Sequence, residues 1–155
     1  MRALVDTNVI INFLEDNMAH TSDDSILMHY AIKGIFIPCI SSSAVTDIYY
    51  ILTRNLHEAN KEKAFEKKLS KSEIRLCADG LINTLLRKVD ILTVGKQEII
   101  QAFSSTWKDK EDAVQYFTAM SNDVDTIITW NKRDYTLSSI PVYDPAEFIT
   151  LLQRS

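Results

Sequence analysis

The feature that most constrains the fold is the alternation of short apolar runs, rich in β-branched residues, with longer segments of helical period. The predicted strands cover residues 3–6, 35–40, 89–94, 126–129 and 142–143, and helical segments fill the gaps between them. In one of these segments, residues 43–56, Val45, Ile48, Tyr49 and Leu52 recur at the spacing of a helix that packs on a sheet. Such alternation is typical of βαβ units. The sequence therefore predicts an α/β fold with a central parallel sheet.

Length and motifs narrow the class of protein further. A chain of 155 residues buries about two-thirds of its unfolded surface, so we expect one domain spanning residues 1–155. The sequence contains no GxGxxG, GxxxxGK[ST] or HExxH motif, which argues against nucleotide-cradling loops and zinc hydrolases. Cys39 and Cys77 have apolar neighbours and no CxxC spacing, so we expect buried thiols in a reducing compartment. With no long apolar run, we expect a soluble cytoplasmic protein without a membrane segment.

Aspartates occur where a parallel sheet presents the carboxyl ends of its strands. Asp6 closes the first predicted strand, and Asp47 lies early in the helix after the second. Asp112 lies in the first turn of a helix that leads into the fourth strand, and such a helix begins at the same edge of the sheet. Because ligands of open α/β sheets bind at this edge, we expect the three carboxylates to converge there.

Polar residues after the fourth strand join the same edge. Thr129, Asn131 and Asp134 lie at or just past the end of that strand, and Asn8 follows Asp6 by two residues. Several carboxylates brought together repel one another unless they are protonated or share a cation. Oxygen ligands without His or Cys favour Mg²⁺ or Mn²⁺ over zinc. A metal-dependent phosphodiesterase follows as a hypothesis.

Each acid also has a structural interpretation. Asp6 is suited to cap the helix that begins near Asn8. Asp109 and Asp112 fit the N-cap and the third position of a helix, where the helix dipole stabilises them. Asp47 taken alone fits a solvated surface acid.

Other conspicuous residues are predicted to be structural. Asp24 precedes a helix and fits a cap, and Asp144 with Glu147 fits a capping box around a proline at the first helical position. Trp107 and Trp130 are expected in the core rather than as base-stacking platforms, because aromatic side chains dominate cores.

Positive charge concentrates in one segment. Residues 54–88 contain nine Lys or Arg and five Asp or Glu, a net charge of +4, whereas the rest of the chain has eight and sixteen, a net charge of −8. Two interpretations are open: a basic arm beside an acidic body, or a solvated helical hairpin with alternating charges. The residues of such an arm are Arg54, Lys61, Lys63, Lys67, Lys68, Lys71 and Arg75.

The chain resembles the PIN domain family, most closely the VapC-like toxin ribonucleases. The resemblance is carried, in order, by the segments VDTNVIINFL, SSSAVTDIYYIL, KDKEDAVQYFTA, DTIITWNKRDY and PVYDPAEFI. It implies a three-layer α/β/α sandwich and Mg²⁺- or Mn²⁺-dependent cleavage of RNA. It also implies a cognate antitoxin and a homodimer. Against this family, the helical basic stretch around residues 57–75 is an insertion, which is expected either to contact RNA phosphates or to bind a protein partner. The candidate phosphate contacts are Lys61, Lys63, Lys67, Lys68, Lys71 and Arg75.

The resemblance assigns roles to residues of this sequence. It places the catalytic positions at Asp6, Asp47, Asp112, Asn131 and Asp134, with the first three as metal ligands. It places substrate-facing or supporting residues at Asn8, Thr129 and Asp109. Two positions depart from the family pattern: Asp47 replaces a more common glutamate, and neutral Asn131 occupies the fourth acidic position, with Asp134 three residues beyond.

The leading hypothesis is therefore a metal-dependent endoribonuclease, the toxin of a type II toxin-antitoxin pair. One alternative is a PIN-like domain with weak or no catalysis that binds nucleic acid or a protein partner. A phosphatase with Asp6 as nucleophile ranks lower, because that chemistry needs a second acid where Asn8 stands.

Overall fold

Five parallel strands form the central sheet of the computed structural model, which describes residues 1–16 and 22–154. The strands are β1 (Arg2–Val5), β2 (Ile37–Ser41), β3 (Asp90–Leu92), β4 (Thr126–Ile128) and β5 (Val142–Tyr143). Their order across the sheet is β3-β2-β1-β4-β5, and every neighbouring pair is parallel. The predicted parallel sheet is confirmed, with strand ends that differ from the predicted ones by a few residues.

Helices connect the strands and cover both faces of the sheet. They are α1 (Thr7–Glu15), α2 (Asp23–Ile32), α3 (Ala44–Lys61), α4 (Lys71–Leu86), α5 (Lys96–Ser104), α6 (Lys110–Ser121) and α7 (Pro145–Arg154). Short 3-10 turns cover Phe65–Lys67 and Lys132–Tyr135. In the described residues, no helix is long and apolar enough to span a membrane.

Alternate side chains of the strands feed two separate cores. Ala3 and Val5 of β1 pack into one core with α1, α2, α3, α4 and α7, whereas Leu4 points to the other face and packs with α5 and α6. This alternation is the period-two pattern of a strand buried on both faces. The result is the predicted three-layer α/β/α sandwich in a single domain.

The strand order creates a crevice between β1 and β4. From β1 the chain winds outward through β2 and β3, and then returns to place β4 on the opposite side of β1. The winding direction changes at this point, which is where open parallel sheets bind ligands. Asp6 directly follows β1, and Thr129 directly follows β4. The topology thus brings together two polar residues that are far apart in the sequence.

The helix caps follow the sequence signals. Asp144 accepts a hydrogen bond from Glu147 N, and the Glu147 carboxylate accepts one from Asp144 N, as a capping box requires. Asp109 caps α6 and places Asp112 at its third position, as predicted.

The prediction that both thiols are buried was wrong for Cys77. Cys39 in β2 is buried, but Cys77 is exposed. In α4 the buried stripe runs through Ile74, Ala78 and Ile82, and Cys77 lies at its flank.

Candidate active site

An acidic cleft of about 380 Å³ opens at the carboxyl ends of β1 and β4. Its carboxylates are Asp6, Asp109, Glu111, Asp112 and Asp134. In the part of the chain that the structure describes, none of the five forms an ion pair with a lysine, arginine or histidine. The cleft therefore concentrates negative charge without a protein cation to balance it.

Asp6 lies at the base of the cleft, only 5% exposed, and accepts four hydrogen bonds. Its Oδ1 accepts from Thr7 N at 2.6 Å and from Gln115 Nε2 at 3.4 Å. Its Oδ2 accepts from Thr129 Oγ1 at 2.6 Å and from Asn8 Nδ2 at 2.9 Å. Burial raises the pKa of Asp6 above its usual value, and these hydrogen bonds oppose the rise. The carboxylate is thus fixed in orientation, and it also caps α1.

Thr129 connects the residues that follow β1 and β4. Besides donating to Asp6, its hydroxyl accepts from Asn8 Nδ2 at 3.1 Å and from Asn131 N at 3.0 Å. The Asn8 side chain also accepts from Trp130 N at 3.2 Å. The structure therefore brings Asp6, Asn8, Thr129 and Asn131 into one network, as their positions at the sheet edge predicted.

Asp112 faces this network from α6. Burial raises its pKa to about 7, and the negative charges of Asp6, Asp109, Asp134 and Glu111 add to the shift. The buried Tyr135 hydroxyl donates to Asp112 Oδ1 at 3.4 Å. Burial first, and the neighbouring negative charges second, thus favour the protonated form of this carboxyl group.

Asp47 lies at the margin of the cleft and not in its wall. It is half-buried in the first turn of α3, and its negative charge contributes to raising the pKa of Glu111. The wall beside it is formed by Ile51, one turn further along the helix. The shared sheet edge is as predicted, but Asp47 is the most peripheral of the three candidate metal ligands.

The six basic candidates lie away from the cleft. All are exposed, and Lys61 pairs with Glu58 at 2.7 Å. At 1.5 Å rise per residue, Lys61 lies about 20 Å along α3 from Asp47. Two other exposed cations, Lys108 and Arg133, line an adjoining cavity that shares Asp109 and Asp134 with the cleft.

Sequence reasoning missed two residues of the site. Glu111 lines the cleft, and burial raises its pKa with help from Asp47, Asp109 and Asp6. Gln115, one turn after Glu111 and 1% exposed, reaches Asp6. Their spacing in α6 is the available signal, because residues four apart share a helix face.

The prediction that both tryptophans are buried was wrong for Trp130. Trp107 packs in the core against Tyr116 and Tyr135, but Trp130 is 42% exposed. Trp130 follows Thr129 directly, so it is placed at the rim of the crevice.

The donor chemistry of the cleft fits a hard divalent cation. All five charged groups are carboxylates, and Thr7, which lines the cleft, has a buried hydroxyl without a hydrogen-bond partner among the described residues. Oxygen donors of this kind suit Mg²⁺ or Mn²⁺. As the side chains stand, however, no three Asp, Glu, His or Cys residues in the described ranges are grouped closely enough to hold a metal ion. A metal would bind here with a rearrangement of side chains.

Comparison with known proteins gives the family of the fold. Residues 2–133 match the PIN domain. No curated protein sequence matches the chain.

Two solved structures share the architecture. One is VapBC2 from Rickettsia felis bound to a DNA fragment from its promoter, with a TM-score of 0.62, 10% identity, and coverage of 93% of this chain and 98% of that chain. The other is FitAB bound to an IR36 DNA fragment, with a TM-score of 0.59, 15% identity, and coverage of 92% and 94%. At these identities the likeness is one of fold.

Proposed function

Because the chain belongs to the PIN domain family, we propose that it is a Mg²⁺- or Mn²⁺-dependent endoribonuclease and the toxin of a type II toxin-antitoxin pair. PIN domains are generally nucleases, and the two similar structures are toxin-antitoxin complexes. The observation that carries the proposal is the cleft with five carboxylates and no ion pair to them among the described residues.

In this proposal Asp6, Asp47 and Asp112 hold the metal. A bound Mg²⁺ or Mn²⁺ lowers the pKa of a water molecule and stabilises the negative charge that develops on the phosphoryl group. Thr129 and Asn8 orient the Asp6 carboxylate through their hydrogen bonds. Asn131 and Asp134, at the other wall of the cleft, position water or substrate. Asp109 supports this site by capping the helix that carries Asp112.

The test is cleavage of a mixed pool of single-stranded RNAs with Mg²⁺, Mn²⁺ or EDTA. We expect cleavage that requires the metal and leaves 5′-phosphate ends. Asp6→Asn and Asp112→Asn should abolish it in proteins shown to be folded. Asp79→Asn, an acid-to-amide change at an exposed position of α4, should cleave like the wild type and exclude a contaminating nuclease. Full cleavage by either cleft variant contradicts the assignment.

A second candidate is a PIN domain that binds RNA or a protein without catalysis. Two observations favour it: Asp6 already accepts four hydrogen bonds, and Asn131 is neutral. It predicts RNA or partner binding without metal-dependent cleavage. In that case Asn131→Asp is the first substitution to test for gain of activity.

The proposed partners are RNA, an antitoxin protein and a second copy of the chain, in the cytoplasm. Co-expression with the neighbouring reading frame tests for an antitoxin, which should co-purify with the chain and suppress its cleavage of RNA. Light scattering of the purified chain tests for a dimer.

The exposed basic segment from Lys61 to Arg75 is proposed to contact phosphates of an RNA long enough to reach it. Charge reversal there should weaken binding of long RNAs and reduce its salt dependence.

A further inference from the structure

Trp130 is an exposed aromatic residue that hydrogen bonds anchor through both its side chain and its backbone. Its indole Nε1 donates to Asp24 Oδ1 at 2.8 Å, and its backbone N donates to Asn8 Oδ1 at 3.2 Å. The indole N–H is the only polar group of the side chain, and it is satisfied. The solvent-facing part of Trp130, 42% of the residue, therefore presents apolar ring surface in a defined orientation.

Asp24 is an unusual partner for an exposed ring. It is 4% exposed, and its Oδ2 accepts from Asn12 Nδ2 at 3.3 Å. Burying a carboxylate is unfavourable unless its hydrogen bonds compensate. An exposed tryptophan does not need this partner for core packing. The arrangement is understandable if the ring must be held ready for a ligand.

The ring stands beside the acidic cleft. The surface cavity that Trp130 lines, about 540 Å³, shares Asn131 and Asp134 with the cleft. Asn12, the other partner of Asp24, lines the cleft itself. Arg133 lines the Trp130 cavity too, and with Lys108 it lines a further cavity that shares Asp109 and Asp134 with the cleft. The aromatic face, the carboxylates and two exposed cations therefore line neighbouring cavities of one surface.

We propose that Trp130 is a stacking platform for one base of a single-stranded RNA, held in place by Asp24 at the rim of the cleft. The inference rests on the proposed nuclease function and adds the form of the substrate: a base that is unpaired and free to stack. Aromatic stacking accepts every base, because each has a π-face. The site therefore selects unstructured RNA over duplex RNA and contributes little to sequence preference.

The test is binding of fluorescein-labelled single-stranded RNA octamers in EDTA, where cleavage does not contribute. Trp130→Ala should weaken binding roughly tenfold, in the range for one stacked base. Trp130→Phe keeps an aromatic face and should lose much less. Phe103→Ala removes an aromatic side chain from a residue that is 65% exposed on α5, outside the cleft, and should bind like the wild type.

Octamers with one abasic nucleotide identify the stacked base. At one position the abasic change should weaken binding to the wild type and leave binding to Trp130→Ala unaltered. Asp24→Ala, which keeps the ring but frees it, should weaken binding less than Trp130→Ala and increase quenching of Trp130 fluorescence by acrylamide.

The outcomes separate this inference from the proposed function. Equal RNA affinity of wild type and folded Trp130→Ala, or no RNA binding by the wild type, overturns the stacking role. If the wild type nevertheless cleaves RNA with metal, the nuclease proposal stands alone. Trp130-dependent binding without cleavage supports the platform and contradicts the nuclease. Unchanged RNA affinity with loss of antitoxin binding in Trp130→Ala assigns the ring to a protein partner and also overturns the inference.

Discussion

At the scale of single residues, Thr129 joins β1, α1 and the loop after β4 through one hydroxyl. It donates to Asp6 and accepts from Asn8 and from Asn131 N, while fully buried. Thr129→Val keeps the shape but removes these three hydrogen bonds, including the one that Asn131 N donates, and the expected loss is about 1–3 kcal/mol in the free energy of unfolding. Thr129→Ser keeps the hydroxyl and should lose less. Urea unfolding measures both; equal losses would mean that packing, not the hydroxyl, matters.

A second residue prediction concerns the buried Asp24. Burial raises its pKa above the unfolded value of 3.8. The folded state therefore binds this proton more tightly, and the resulting stability is fully present below pH 3.8 and is lost as the pH rises through the folded pKa. Asp24→Asn removes the titration and keeps an oxygen that can accept from Trp130 Nε1. The unfolding free energy of the variant, relative to wild type, should rise as the pH increases above about 4.

The control for this pH dependence is Asp79→Asn, at an exposed position of α4. It should follow the wild-type curve at every pH. A flat difference between wild type and Asp24→Asn would show that Asp24 titrates alike in the folded and unfolded states.

The sequence predicts which residues lie at the shared edge of the sheet. It does not predict how exposed each of these residues is. Asp6, Thr129 and Asp112 follow from where strands and helices begin and end, and the structure places them around one cleft. The environments of Trp130 and Asp24 do not follow, because these residues are 106 positions apart and form their hydrogen bond only in the folded chain. Asp24 was predicted as a cap, since an acid before a helix has that role by default.

At the scale of elements, three acids lie at the N-terminal end of α6: Asp109 at the N-cap, and Glu111 and Asp112 in the first turn. Asp109 Oδ1 accepts from Glu111 N and Asp112 N, so it caps the helix that presents Asp112. Asp109→Ala should lower the free energy of unfolding by about 1 kcal/mol and reduce RNA cleavage by displacing that turn.

Asp109→Ser distinguishes the helix-capping role of Asp109 from the role of its negative charge. Serine is a comparable N-cap, so stability should stay near the wild-type value although the negative charge is gone. If RNA cleavage also persists in Asp109→Ser, Asp109 acts through the helix. Loss of cleavage with retained stability would instead assign the Asp109 carboxylate a direct role in the cleft. Thermal unfolding and the RNA-pool assay on the same preparations distinguish these results.

The starts and buried faces of the helices were predicted more accurately than the positions of their exposed residues relative to other elements. The capping residues predict the first residues of α6 and α7 correctly, because the N-cap signal is local in the sequence. The amphipathic stripe of α3 likewise identifies its buried face, with Ile48 and Leu52 fully buried. Asp47 lies off that stripe, and its distance from the other acids depends on how α3 packs against α1. Helical periodicity contains no information on that packing.

At the scale of the whole molecule, the strand order determines where chemistry is possible. The change of winding between β1 and β4 opens the crevice, and the helices that start at this edge bring acids to it. The alternation of strands and helices predicts a parallel sheet but leaves the order of its strands open. That order is a property of the complete fold, which explains why Glu111 in the cleft wall and Gln115 behind Asp6 were identified only from the structure.

The proposed metal binding predicts that the stability of the whole molecule depends on divalent cations. A metal that binds only the folded state stabilises it by about 2.7 kcal/mol at one hundred times its Kd. For a chain of this size that is a rise of several degrees in Tm, at about 3 °C per kcal/mol. We expect Mg²⁺ or Mn²⁺ to raise the Tm of the wild type at about pH 8, where Asp112, with a pKa of about 7, is mostly ionised.

Asp112→Asn supplies the decisive comparison. Without metal it should be more stable than the wild type at that pH, because it removes a charge that Asp6, Asp109, Asp134 and Glu111 repel. With Mg²⁺ the wild type should gain stability and the variant should not. The stability advantage of Asp112→Asn over the wild type should therefore shrink or reverse. NaCl at matched ionic strength controls for screening of the acids, and Asp79→Asn should respond to Mg²⁺ like the wild type. Two results would mean that the cations only screen repulsion among the carboxylates and that the cleft does not bind a metal. One is an equal change in Tm with NaCl and with Mg²⁺. The other is an undiminished change in Tm with Mg²⁺ in Asp112→Asn.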